Sequence, residues 1–158
     1  MGGAEYQARL LVEHWATRYD VEIIYLTVRA DPSYDPASYR VVQFSSDRGL
    51  RRYGTFFDAA RLYRALRAIR PDVIYQQVGC AHTGIAAFYA RRNGCRMAWR
   101  VSSDRSVEPL PRASWRRPHH WLERVFLEYG IRHADVIFAQ NAVQFKYRRP
   151  VVNDSFHI

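Results

Sequence analysis

Hydrophobic positions along the chain switch repeatedly between a helical and an extended period. Ala4, Ala8, Leu11, Val12 and Trp15 recur at helical spacing and predict an amphipathic helix over residues 4–18. Residues 21–28 (VEIIYLTV) are β-branched and aromatic and predict a buried strand; residues 39–44 (YRVVQF) predict a second, shorter one. Asp31-Pro32 and Asp35-Pro36 mark the turns between them. Phe56, Ala59, Leu62, Tyr63, Leu66 and Ile69 then set out another helix, which Pro71 stops. Strands follow at 72–76 (DVIYQ), 96–101 (RMAWRV) and 135–140 (DVIFAQ). Between them lie a short helix over 83–92, closed by Asn93-Gly94, and a longer one over 121–133.

Strands alternating with helices predict an α/β domain whose mainly parallel sheet carries helices on both faces. The five strands are expected in one sheet, with the first helix lying against it. The order is unusual at the front. A doubly wound domain normally opens on a strand that sits centrally in its sheet, whereas this pattern opens on the helix that would follow it.

Composition narrows the class. The 158 residues suit one domain, and 48% apolar content is enough to bury a core and excludes wholesale disorder. Cys80 and Cys95 make neither a disulfide framework nor a zinc site and read as small buried hydrophobes in a reducing cytosol. The formal charge of +9 favours anionic partners, but it is spread over many segments as on a solvated surface, and no nucleic-acid motif accompanies it. Nearly all of it is arginine, Lys146 being the only lysine. No apolar run approaches a membrane helix, and residues 1–5 show neither part of a signal peptide.

Several short stretches together resemble glycosyltransferase family 4. Gly2-Gly3-Ala4-Glu5 before a helix looks like that family's opening, and Arg70-Pro71-Asp72-Val73-Ile74-Tyr75 looks like its strand entry. Thr83-Gly84 opening a helix, Ser103-Asp104 after a strand, and His133-Ala134-Asp135-Val136-Ile137 with Ala139-Gln140 and Gln144 follow in the family's order. The resemblance covers residues 2 to about 144. It implies a Rossmann-like, N-terminal, acceptor-holding half of a GT-B fold lacking its first strand, with the nucleotide sugar held by a C-terminal domain. The implied domain spans residues 1–149, incomplete at its start. Residues 150–158, after Arg148-Arg149, begin a connection to that second domain. A histidine that many relatives carry before Ser102 is missing; Arg100-Val101 stand there.

The candidate substrate-binding residues are Gly2, Gly3, His82, Ser102, Ser103 and Asp104. Gly2 and Gly3 precede a helix whose free N–H groups favour phosphate, and the resemblance puts this loop near a donor diphosphate; the plainer reading is an unliganded terminus. Asp104 follows a strand's carboxyl end, where ligands of open α/β sheets collect, and suits an acceptor hydroxyl; its plainer role is a local cap. Ser102 and Ser103 adjoin it, and His82 follows another strand's carboxyl end, where helix-entry packing is the competing role. His119 and His120 are adjacent, not at metal-ligand helical spacing, so no metal is assigned. No catalytic residue is assigned. The stretch Arg112 to Arg124 (RASWRRPHHWLER) mixes basic residues with Trp115 and Trp121, which suits an anionic membrane surface or a lipid-linked acceptor, against the plainer reading of a solvated loop that Pro118 interrupts.

The resemblance thus implies transfer of a sugar from a nucleotide-sugar donor, a co-substrate rather than a cofactor, to a saccharide or lipid-linked acceptor. The expected location is the cytoplasm, with peripheral contact to the inner face of the membrane left open. A non-catalytic acceptor-binding module and a basic membrane- or nucleic-acid-binding α/β domain are the competing readings. The isolated chain is expected to be inactive and weakly stable.

Overall fold

The computed structural model describes residues 3–45, 54–102, 118–142 and 144. Its elements run α1 (Gly3–Arg18), β1 (Ile24–Thr27), β2 (Arg40–Gln43), α2 (Gly54–Ile69), β3 (Val73–Gln76), α3 (Ala81–Asn93), β4 (Arg96–Arg100), α4 (Pro118–His133) and β5 (Val136–Phe138). The alternation read from the sequence is therefore present, with every strand trimmed. Ladder length explains the trimming: β1 is in parallel register with β2 only from Ile24↔Arg40 to Thr27↔Gln43, and before it only the Ile23 carbonyl joins, accepting the Arg40 N–H at 3.0 Å.

The expectation of one sheet is corrected. The strands form two parallel ladders, β1-β2 and β3-β4-β5. The chain divides into two compact units, Met1–Ala68 and Ile69–Ile158.

In the first unit, α1 turns Ala8 and Val12 inward and α2 turns Leu62 and Leu66 inward. Arg9 of α1 lies 5.5 Å over the Tyr34 ring, and the Tyr34 and Tyr39 hydroxyls are hydrogen-bonded, which ties α1 to the β1–β2 connection. α2 ends at Ile69, and the left-handed backbone of Arg70 (φ 54°) turns the chain before Pro71.

The second unit holds the larger core. β4 is its middle strand, in register with β3 (Ile74↔Met97, Gln76↔Trp99) and with β5 (Trp99↔Ile137). Alternation along β4 sends Met97, Trp99 and, just beyond it, Val101 to one face, where all three are buried with Ile74. α3 packs on β3 and β4, and α4 packs on α3. On the other face, Tyr75 of β3 and Phe138 of β5 approach each other at 6.3 Å. Two glycines permit the helix contact. A Cβ on Gly84 would lie 2.2 Å from the Phe126 carbonyl oxygen, and one on Gly130 would lie 2.6 Å from the Thr83 carbonyl carbon. Gly94, left-handed at φ 70°, closes α3. Pro118 opens α4, a first-turn position where its missing N–H costs nothing.

Candidate functional site at the carboxyl edge of the second ladder

Because β3, β4 and β5 are parallel, their carboxyl ends share one edge, and the segments that leave it are the natural place for a ligand. The segment after β3 is held by hydrogen bonds around one buried hydroxyl. Thr83 Oγ1 donates to the Val78 carbonyl at 3.0 Å and accepts the Cys80 N–H at 3.2 Å, while the Thr83 N–H donates to the Cys80 carbonyl at 3.0 Å. Gln76 Nε2 donates to the same Val78 carbonyl at 3.1 Å. Thr83 is wholly buried, so this hydroxyl fixes where β3 ends and α3 begins. It also moves the helix start two residues ahead of the sequence expectation, bringing Ala81 and His82 into the first turn.

His82 accordingly sits at the start of α3, half-buried, with Nδ1 3.7 Å from Cys80 Sγ. Burial pushes the Cys80 thiol up, against the smaller lowering effect of hydrogen bonds from the His82 and Thr83 backbone. A thiol held protonated in this way is a poor nucleophile, but Cys80 and Cys95 are both half-buried, not the fully buried groups the sequence suggested. Cys95 is likewise pushed up, first by burial and then by the Asp135 and Asp72 carboxylates.

Ser102 directly follows Val101 at the end of β4 and is half-buried. His82 and Ser102 thus leave the same edge of one ladder. Gly3 is the first residue of α1 and belongs to the other unit. Gly2, Ser103 and Asp104 lie outside the described residues, as do Arg148 and Arg149. In the stretch Arg112 to Arg124, side chains are described from Trp121 onward. Trp121 is exposed, and Arg124 Nε pairs with Glu128 Oε1 at 2.9 Å. Among the described residues, no three His, Cys, Asp or Glu side chains converge as metal ligands, and no helix is long and apolar enough to cross a membrane.

Three structural roles escaped the sequence reading. Asp135, matched there only as part of a motif, works at the opposite, amino edge: its Oδ2 accepts the Met97 N–H at 2.7 Å, and its own N–H donates to the Met97 carbonyl at 2.8 Å. Gln140 reaches back to β4, its Nε2 donating to the Val101 carbonyl at 2.7 Å. Gln144 is buried, and its Oε1 accepts the Gln140 N–H at 2.8 Å. The spacing Asn141-x-x-Gln144 resembles a capping box and was the available signal. The Trp99 indole N–H is buried and meets no acceptor among the described residues.

No curated protein and no solved structure matches the chain. The α/β architecture, with parallel ladders and four helices among the described residues, agrees with a Rossmann-like half of a GT-B fold. A sequence model of glycosyltransferase family 4 matches residues 1–146, nearly the whole length, and the chain belongs to that family.

Proposed function

We propose that this domain holds the acceptor for transfer of a sugar from a nucleotide-sugar donor to a saccharide or lipid-linked acceptor, at the carboxyl edge of β3, β4 and β5. The family match over residues 1–146 carries the reading. It is supported by the shared edge from which His82 and Ser102 depart, since ligands of open α/β sheets bind there. The imidazole of His82 and the hydroxyl of Ser102 are the chemistry a sugar needs, short polar groups that give or take hydrogen bonds with its hydroxyls. In the two-domain arrangement the family implies, the nucleotide is gripped by a second domain. Closure of the two halves then excludes water and places an acceptor hydroxyl in line with the departing phosphate.

Saturation-transfer NMR of the 158-residue chain with glucose, galactose, mannose and N-acetylglucosamine tests the acceptor role. Binding of at least one sugar is expected, weakened roughly fivefold by His82→Ala or Ser102→Ala, the size of one net hydrogen bond. Wild-type chain that binds none of them overturns the acceptor reading. In a purified assay with nucleotide-sugar donors, the same chain is expected to give no turnover; turnover would overturn the assignment of the donor grip to a second domain.

A further inference from the structure

The β4–β5 ladder ends in a way its other rungs do not. In a parallel pair, a residue that donates its N–H to one carbonyl receives, on its own carbonyl, the N–H two residues further along the partner strand. Val101 donates to the Phe138 carbonyl at 3.0 Å, so the next rung calls for the backbone N–H of Gln140 on the Val101 carbonyl. The side chain takes that place instead. Gln140 Nε2 donates to the Val101 carbonyl at 2.7 Å, and the displaced backbone N–H of Gln140 donates to Gln144 Oε1 at 2.8 Å. Gln144 is itself fixed, since its N–H donates to Asn141 Oδ1 at 2.8 Å and the residue is only 4% exposed.

We propose that Gln140 and Gln144 are positioning residues, a relay of two amides that lets the chain leave β4 one rung early while Val101, and with it Ser102, stays in place at the acceptor edge. A plain rung would draw Gln140 against Val101 and continue the strand. A simple loss of pairing would leave a buried carbonyl and an N–H without partners, at a cost the relay avoids. The polarity of each side chain is dictated by its partner: position 140 must donate, because a carbonyl can only accept, and position 144 must accept, because an N–H can only donate. The proposal rests on the acceptor reading for its functional meaning, but its geometry can be tested without a sugar.

The experiment follows the Ser102 amide resonance of the full chain in Gln140→Met, Gln140→Glu and Gln140→Lys, together with binding of the same four sugars. Gln140 is exposed, so these changes leave the core untouched. Gln140→Met and Gln140→Glu, which have no donor, are expected to shift the Ser102 resonance, speed its hydrogen exchange and weaken sugar binding at least fivefold. Gln140→Lys restores a donor and is expected to stay close to wild type. A space-filling role would rank Met and Glu with wild type and set Lys apart. Unchanged Ser102 exchange in both donor-less variants overturns the relay. A shifted Ser102 in a chain whose wild type binds no sugar supports the relay and overturns the acceptor reading instead.

Discussion

The two units contrast in how they bury parallel strands. In the second, β4 has a neighbour on each side and a helix across one face, and Met97, Trp99 and Val101 are almost fully enclosed. In the first, β1 has β2 as its one ladder partner among the described residues, and no residue of either strand is buried: β1 is half-buried along its length, and β2 is exposed at both ends. By local sequence β1 is the more apolar strand, Ile24-Tyr25-Leu26-Thr27 against Arg96-Met97-Ala98-Trp99-Arg100 of β4. The difference teaches that strand propensity does not make a core. A parallel strand earns its burial from partners at both edges and cover on its faces.

The largest expected effect comes from breaking the better-packed unit. Gly84→Ala would put a methyl group 2.2 Å from the Phe126 carbonyl oxygen, a clash that only movement of a helix backbone relieves. The expected loss is about 3 kcal/mol or more, enough to unfold a domain of marginal stability, read as a fall in the urea midpoint. A midpoint within experimental error of wild type would mean that α3 and α4 do not cross at these glycines.

Hydrogen exchange sharpens the comparison directly. Amides of Met97 to Val101 are expected to exchange at least about tenfold more slowly than those of Ile24 to Thr27, because a difference of 1.4 kcal/mol in local opening already gives that ratio. Equal protection in the two ladders would remove the contrast.

Acid–base behaviour probes the same core more gently. Burial raises the Cys80 thiol in the folded chain above its ordinary value near 9. The native state therefore holds this proton more tightly than the unfolded state, and its contribution to stability is present below that value and is lost as pH rises from there through the folded pKa. The midpoint should fall as pH climbs above about 9, and Cys80→Ser should flatten that slope. At pH 8 iodoacetamide should label Cys80 in the native chain far more slowly than in urea; equal rates would contradict the burial. In the first unit the sign is reversed for Asp31, whose carboxylate is held below its usual range by hydrogen bonds from the Ser33 hydroxyl and backbone N–H. Its small contribution is present above the ordinary carboxylate pKa and fades as pH falls through the lowered one.

The smallest effect is expected at the junction after α2. Arg70 adopts a left-handed backbone, which costs an L-residue about 1 kcal/mol, and Arg70→Gly relieves this while adding freedom to the unfolded chain. The urea midpoint should hold steady or rise slightly; a clear fall would show that the arginine side chain contributes to the fold.

The sequence by itself determined the order of elements and the family. Periodicity located four helices and five strands because each element's apolar spacing is a local property, and the carboxyl-end placement of His82 and Ser102 followed from where strands give way to loops. Pairing was not legible. Whether β1 joins β3 depends on backbone partners rather than on either strand's own residues, and the expected single sheet resolved into two ladders. Nor was the work of Asp135 and Gln140 visible, since each acts on a backbone group that only the folded chain brings within reach, at 38 residues' separation for Asp135 with Met97 and 39 for Gln140 with Val101. Local pattern decides what each segment is. The satisfaction of backbone hydrogen bonds across the fold decides where its polar side chains are put to use.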